Sequence, residues 1–290
     1  MRYRFISAEK ANYPVTMLCR VMRVVRSGYY AWLRGDKSMY QKENERLVPL
    51  VRQIHAGSGE TYGTRRIAAA LVARGIDCGR ARARTLMRLA GVAVKRRRRF
   101  KVTTDSKHDL PVAPNLLDRN FEVDGPDLVW VSDISYIWTN EGWLYLAVAI
   151  DLFSRQVVGW SVNKRITKKL VMDAFTMAVG RRRPAPGLIF HSDRGSQYCS
   201  LKFQKLLQTH GAVSSMSRKG NCWDNAPAES FFASLKKDRV YYTSYKTREE
   251  ARRDIVNYLE MFYNAGRLHS SLGYVSPKQF EEAWLLANAS

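Results

Sequence analysis

The 290-residue sequence predicts an α/β domain preceded by an all-α region, and three observations carry that prediction. Apolar residues recur at helical spacing through the first hundred positions. From about Asp127 they gather into short β-branched and aromatic runs separated by turn residues. Charge divides along the same line. Residues 1–110 carry 25 basic and 8 acidic side chains, net +17, whereas residues 111–290 carry 23 and 18, net +5. The boundaries follow: 1–94 for the helical region, 95–119 for a basic linker, and 120–290 for the α/β core with its C-terminal helices.

In the helical region, a segment from about Tyr13 to Leu33 is interrupted near Arg26-Ser27-Gly28. A second, Gln41 to Ala56, places Leu47, Leu50, Val51 and Ile54 on one face. Thr64-Arg65-Arg66-Ile67 then opens a helix to about Arg74, with Thr64 as N-cap. Gly75 to Gly79 makes a turn, and Arg80 to Leu89 forms a helix bearing Arg80, Arg82, Arg84 and Arg88. Helix, short turn and arginine-rich helix outline a helix-turn-helix unit, whose second helix enters the major groove of double-stranded DNA. On that reading Arg65, Arg66, Arg80, Arg82 and Arg84 are DNA-binding candidates; arginines on a helix are otherwise a solvated face. Lys95-Arg-Arg-Arg-Arg-Phe-Lys101 cannot pack inside a core, so Arg96, Arg97 and Arg98 are assigned to phosphates.

The core opens with a strand over Leu128–Ile137, a turn at Thr139–Gly142 and a strand over Trp143–Ile150, together a hairpin. A third strand covers Val157–Val162. Helix Ile166–Val179, strand Leu188–Ser192, helix Leu201–His210 and strand Ala212–Met216 follow. A loop over Arg218–Asp224 leads to a helix starting near Asn225, and another helix spans Arg248–Tyr263. A three-strand meander followed by alternating helices and strands is an α/β order.

The net charge of +22 favours a polyanionic partner. The N-terminus has no apolar run fit for a signal peptide, and no stretch of 18 apolar residues is present to span a membrane. Cys19, Cys78, Cys199 and Cys222 lack Cys-x-x-Cys spacing, and the five histidines make no His-x-x-x-His pair. Zinc and disulfide frameworks are therefore not expected, and a reducing cytoplasm fits.

Three carboxylates are candidates for chemistry. Asp133 sits mid-strand in an apolar run, where an ionised group is costly unless it is paired or bound to a metal. Asp193 falls just past the C-terminal end of a strand, where α/β sheets place ligand sites. Glu229 lies in the first turn of a helix, after Asn225 as N-cap and Pro227. Taken singly, Asp193 reads equally as a cap and Glu229 as a dipole partner. Brought together, the three would repel one another unless divalent cations sat between them. Oxygen donors suit Mg²⁺ or Mn²⁺. A pair of such ions about 3.5–4 Å apart serves in-line displacement at phosphorus. Asp151 is the obvious rival. With the hairpin turning at Asn140-Glu141, Asp133 pairs with Val148, and Asp151 lies about 10 Å beyond on the opposite face. Asp151 and Asp224 are therefore read as turn and loop structure. His191 is either a contact near the site or a satisfied core histidine. Asn221 and Trp223 are candidates for DNA contact.

Trp130-Val-Ser-Asp133-Ile-Ser-Tyr136, His191-Ser-Asp193-Arg-Gly-Ser-Gln-Tyr198 and Asn221-Cys-Trp-Asp-Asn-Ala-Pro-Ala-Glu229-Ser-Phe resemble the three signature blocks of DDE transposases. Thirty-five residues separate Asp193 from Glu229, as in integrases and the IS-three family of bacterial insertion sequences. Arg26-Ser-Gly-Tyr-Tyr-Ala-Trp32 and the tail Arg267-Leu-His-Ser-Ser-Leu-Gly-Tyr-Val-Ser-Pro277 extend the likeness over nearly the whole chain. The resemblance implies an RNase H-like (integrase) core with catalytic and metal-binding Asp133, Asp193 and Glu229, and two Mg²⁺ or Mn²⁺ ions per site. It also implies a DNA-contacting Lys236, cleavage and strand transfer at element ends, and action as a homo-multimer on bacterial DNA in the cytoplasm. In many relatives this chain is a second reading frame fused to a small upstream product, a further candidate partner. Two other classes stand beside it: a DNA-binding regulator with a dead core, and an RNase H-type nuclease that hydrolyses without joining.

Overall fold

The computed structural model describes residues 1–35, 37–94, 111–218 and 222–289, with the side chains of Cys222 and Trp223 outside the description. The basic run holding Arg96, Arg97 and Arg98, most of the expected linker, and Asn221 also lie outside the described residues. The chain forms two compact units, Met1–Val94 and Lys95–Ser290. Among the described residues, no helix is long and apolar enough to cross a membrane.

The first unit is all helical: α1 (Arg2–Glu9), α2 (Val15–Val21), α3 (Arg26–Arg34), α4 (Met39–Gly57), α5 (Thr64–Val72) and α6 (Arg80–Ala90). Ile6, Leu18, Cys19 and Tyr29 bring the first three together. Arg26-Ser27-Gly28 begins α3 and does not interrupt a helix. Gly28 serves close approach, since a Cβ there would stand 2.6 Å from the Tyr3 hydroxyl. Ser38 caps α4 in a reciprocal box with Gln41, whose amide donates to Ser38 Oγ at 3.2 Å. Leu47, Val51 and Ile54 of α4 are buried with Ile67 and Leu71 of α5 and Ala83, Leu86 and Met87 of α6. Gly63, and not Thr64, is the N-cap of α5.

The second unit is built on a five-stranded sheet. Its elements are β1 (Val129–Thr139), β2 (Gly142–Asp151), β3 (Val157–Asn163), α7 (Lys168–Arg182), β4 (Ile189–Ser192), α8 (Ser196–Cys199), α9 (Leu201–Thr209), β5 (Val213–Met216), α10 (Ala226–Asp238), α11 (Arg248–Asn257) and α12 (Pro277–Ala287). Strand order is β3-β2-β1-β4-β5. β1, β2 and β3 form the antiparallel meander, and β4 and β5 run parallel to β1. The order is that of the RNase H-like fold. The helix expected over Arg248–Tyr263 is α11 continued by one wide π-helical segment, Tyr258–Tyr263. α1, α8 and α12 were not predicted; α8 is a single turn, too short to show a period.

Side-chain alternation sends the two faces of β1 and β2 into separate cores. Val129, Val131, Ile137, Leu144, Leu146, Val148 and Ile150 pack on Phe231, Phe232 and Leu235 of α10 and on Ile255, Tyr258 and Leu259. Trp130, Ala147, Ala149 and Val158 pack on Leu170, Ala174, Phe175 and Ala178 of α7 and on Tyr198, Phe203 and Leu207. Gly159 lets α7 lie directly on β3. A Cβ at that position would come within 2.3 Å of the Ala174 carbonyl oxygen and 2.7 Å of the Ala178 Cβ. Backbone cannot yield there as a flexible side chain can. Gly159→Ala is expected to cost about 3 kcal/mol of stability or more, read as a drop in the thermal unfolding midpoint; an unchanged midpoint would refute this account of the β3–α7 contact.

Candidate active site

Strand register decides where the first two carboxylates emerge. β1 pairs with β4 only over Val129–Val131, and the last matched pair is Val131 with His191. Two residues further along the chain from each stand Asp133, still within β1, and Asp193, just past the end of β4, near enough for the charge of Asp193 to act on Asp133. β4 ends at Ser192, while β1 runs on to Thr139 held only by β2. The opening lies outside the carboxyl ends of parallel strands, where α/β sheets place their sites. As expected, Asp133 pairs with Val148, and Asp151 pairs with Trp130, three residues away.

α10 closes the opening on the side of Asp133. Its core-facing Ala228, Phe231, Phe232 and Leu235 pack against the β1 residues that share the parity of Asp133. Its first turn carries Glu229, exposed. Asn225 holds the N-cap position, but its side chain does not cap. Its Nδ2 instead donates to the Ser132 carbonyl at 3.1 Å, at the point of β1 where the β4 pairing has ended. Asp224, fully buried, accepts from the Arg218 backbone and guanidinium, from Arg119 and from Asn115 at 2.9–3.1 Å. The Arg218 side chain holds the Asp224 carboxyl well below the usual range, so it stays charged and anchors the entry to α10.

Electrostatics tie the three candidates together. Burial pushes the Asp133 carboxyl up to about 8; the negative charge of Asp193, then that of Glu229, pushes the same way. The Ile134 N–H, donating to Asp133 Oδ1 at 2.7 Å, and the Lys236 cation oppose the rise. Asp193 Oδ1 accepts from the Gly195 N–H at 2.9 Å. Desolvation of its carboxyl raises Glu229. Lys236, two turns along α10, sets its Nζ 5.0 Å from the Tyr136 ring, and burial lowers its pKa against the pull of Tyr136 and Asp133. The carboxylates stand as neighbours, not as a closed shell: among the described residues no three of His, Cys, Asp and Glu are drawn together tightly enough to hold a metal ion. Asp133 and Asp193 are each turned onto a backbone N–H. The donor set is all oxygen, and a carboxyl held protonated by like charges is one that a hard divalent cation would ionise.

Two neighbours were not legible as site residues. Tyr198 of α8 lies 2.8 Å from Ser132 Oγ, and its hydroxyl is raised by burial and by Asp193 and Asp133. Asn225 is the other; its place in the third motif block was the only signal. His191 resolves to the core reading: Nδ1 meets Ser215 Oγ at 2.9 Å and Nε2 meets Ser217 Oγ at 3.2 Å, and burial lowers it to about 4. Asp151 is turn structure, accepting from Asp127 N, Ser154 N and Ser154 Oγ at 2.7–2.9 Å.

In the first unit, Arg80, Arg84 and Arg88 are exposed and four residues apart, a row along one face of α6. Arg65 is exposed, and Arg66 lies half-buried over the Tyr62 ring at 5.6 Å. Arg82 turns inward instead. Its guanidinium donates to Asn44 Oδ1 at 3.1 Å and to the Asp77 carbonyl at 2.9 Å, and it pairs with Glu43. Two positions on from Arg80 turns a side chain about 200° around the helix, onto α4.

A folded-state pKa near 8 sets a sign. Between the ordinary carboxylate range and about 8, the folded protein holds a proton at Asp133 that the unfolded chain releases, so stability falls as pH rises through that window. Without divalent metal, Asp133→Asn is expected to melt higher than the native protein by a margin that grows from pH 5 to 8 and levels off above. A margin independent of pH in a thermal melt would contradict the burial and like-charge account.

The chain is similar to known proteins along most of its length. An integrase core domain model matches residues 123–222, a second integrase core model matches 229–285, and an HTH-like domain model matches 42–100. The chain is 44% identical over 267 residues to the insertion element IS600 uncharacterized 31 kDa protein of Shigella sonnei, covering 92% of this chain and 98% of that one. It is 41% identical over 283 residues to transposase InsF for insertion sequence IS3A of Escherichia coli strain K12, covering 97% and 98%. Among solved structures, the HTLV-2 integrase catalytic core domain in complex with magnesium aligns at a TM-score of 0.44 and 16% identity, over 55% of this chain and 99% of that one. An identity above 40% that runs almost end to end, with both domain models in order, shows that the chain belongs to the IS3 family of transposases.

Proposed function

We propose that this transposase cleaves and joins DNA at Asp133, Asp193 and Glu229. The observation that supports this most is the paired offset of Asp133 and Asp193 from the Val131–His191 match, beside the helix bearing Glu229. These three residues would hold Mg²⁺ or Mn²⁺, two ions by the reasoning from carboxylate chemistry. Such ions, when bound, activate the attacking oxygen and stabilise the leaving oxygen of an in-line displacement.

The chain's own groups do the rest. The Asn225 bond to the Ser132 carbonyl and the Asp224 network hold the start of α10, and with it Glu229, against β1. Lys236, partly desolvated on the Tyr136 ring, supplies positive charge where the scissile phosphate gathers negative charge. His191, neutral and bonded at both nitrogens, plays no part in proton transfer. The nucleophiles are water for cleavage and a DNA 3′-hydroxyl for joining, so the protein need not offer one.

The substrate is double-stranded DNA, both element ends and target. α6 enters the major groove with Arg80 and Arg84, and Arg65 and Arg66 at the start of α5 meet phosphates. Arg96, Arg97 and Arg98 extend that grip along the backbone. One site per chain and two ends to process favour a homo-multimer, and the upstream reading-frame product is a further partner. The work is done on bacterial DNA in the cytoplasm.

Purified protein with Mn²⁺ and labelled element ends is expected to give joined products; cleavage alone would indicate a nuclease, and binding alone a regulator. Glu229→Gln should lower product formation by roughly a hundredfold or more while DNA affinity stays within about twofold; retained turnover would sink the site assignment. The two kinds of arginine separate cleanly. Arg84→Ala should weaken DNA binding about five- to tenfold and shallow its salt dependence by about one unit of slope. Arg82→Ala should instead cost about 1–2 kcal/mol in unfolding. Matching effects of both variants on binding alone would refute the division.

A further inference from the structure

Three aromatic side chains stand at the far end of the β1–β2 hairpin, of which only Tyr136 enters the scheme above, as the ring under Lys236. Tyr136 and Trp138 of β1 and Trp143 of β2 are 38%, 56% and 43% exposed. Trp138 and Trp143 are directly matched across the strands, and Tyr136 lies on the diagonal. The Trp143 ring meets Trp138 at 4.8 Å and 75°, and Tyr136 at 5.0 Å and 86°. Edge-to-face contacts of this kind fix ring orientation. The result is a rigid ladder of three indole and phenol rings on the surface, where single flexible apolar residues would be ordinary.

The surroundings of the ladder are cationic at both ends. Lys236 lies over the Tyr136 ring, and Arg248 Nε donates to the Trp143 carbonyl at 3.1 Å. The nearby acid, Glu141 of the hairpin turn, accepts from the Arg248 backbone N–H at 2.8 Å. The ladder also shares a strand with Asp133. At about 3.3 Å per residue, Tyr136 and Trp138 stand about 10 and 17 Å along β1 from Asp133, with odd offsets that turn their rings to the opposite face, and Lys236, over the Tyr136 ring and attracted by Asp133, is the group the two share. That distance is about three to five stacked base steps, at 3.4 Å each.

We propose that Tyr136, Trp143 and Trp138 form a stacking platform for unpaired nucleobases of the DNA strand whose phosphate lies at the Asp133–Asp193–Glu229 site. The inference rests on that site assignment and adds to it that the duplex beside the scissile phosphate is held open. Paired bases stack on one another and offer a protein their edges and phosphates, which call for arginine and lysine. Unpaired bases offer their faces, and aromatic rings beside cations are the side chains that receive them, whatever the sequence. An apolar protein partner would not match rings flanked by Lys236 and Arg248.

The test is binding by the full chain in EDTA, so that no turnover intervenes. Two probes are compared: a blunt 20-base-pair duplex and the same duplex with a six-thymidine single-stranded tail. The native protein is expected to bind the tailed probe about tenfold more tightly, with quenching of tryptophan fluorescence. Trp138→Ala and Trp138→Leu should both lose that preference while blunt-duplex affinity stays within about twofold, and Trp138→Phe should keep most of it. Leu retains apolar bulk without a ring face, so a preference surviving in Trp138→Leu overturns the proposal. So does equal weakening of both probes, or a change in sedimentation with the tail preference intact, which would make the ladder an interface between copies. Should Trp138→Ala fail to fold in a thermal melt, Trp143→Leu takes its place with the same expectations. Because no metal is present, a native tail preference combined with no joined products in Mn²⁺ would leave the stacking proposal standing and remove the catalytic reading alone.

Discussion

The site depends on where the parallel pairing of β1 with β4 stops. Because Val131 and His191 are the last matched residues, the next side chains on the same face of the two strands are both aspartates. The parallel pairing thus delivers two like charges to the same end of the sheet, Asp133 in a largely buried setting. Their mutual repulsion and the loss of water are what drive the Asp133 carboxyl upward. A pairing slipped by one residue would move one carboxylate to the opposite face and dissolve the site. The flanking architecture guards that register: the meander fixes β1 from one side, and Asn225 takes over the Ser132 carbonyl where β4 leaves off.

Four aspartates of the second unit are placed by their partners, not by their residue type. Asp224 is fully buried yet held charged by Arg218 and Arg119. Asp151 is fully buried too, and burial lifts it to about 6, but three donors from Asp127 and Ser154 define its place in a turn. Asp133 and Asp193 each accept from a backbone N–H, and the charge of Asp193 acts on Asp133. The first two are structural because their acceptor capacity is filled from nearby donors. Asp133 is desolvated next to the like charge of Asp193, the condition under which a hard cation is a better neighbour than a proton.

The helical unit follows the same logic with the opposite sign. Arginines four apart on α6 stay in solvent, while Arg82, on the face turned to α4, is absorbed by Asn44, Glu43 and the Asp77 carbonyl. One helix therefore carries both a cationic stripe and an internal brace, separated by rotation about its axis.

The sequence by itself determined the order of the strands and longer helices and the hairpin register. These rest on local rules: period-two and period-3.6 patterning, turn residues, and a spacing in which Asp133 opposite Val148 follows from a turn at Asn140-Glu141. It also set Asp151 apart from Asp133, through an offset of three residues that puts it about 10 Å along the sheet and on the opposite face. Only the tertiary structure decided the rest. It brought Asp133 near Asp193, sixty residues away in the chain, turned Arg82 toward Asn44, and gave His191 two serine partners. It also turned Asn225 from a cap into a tether, used Gly28 for packing where a break was expected, and set three aromatic rings into a ladder. Each of these depends on which groups meet across the sheet or between helices, and such non-local pairings leave no periodic trace along the chain.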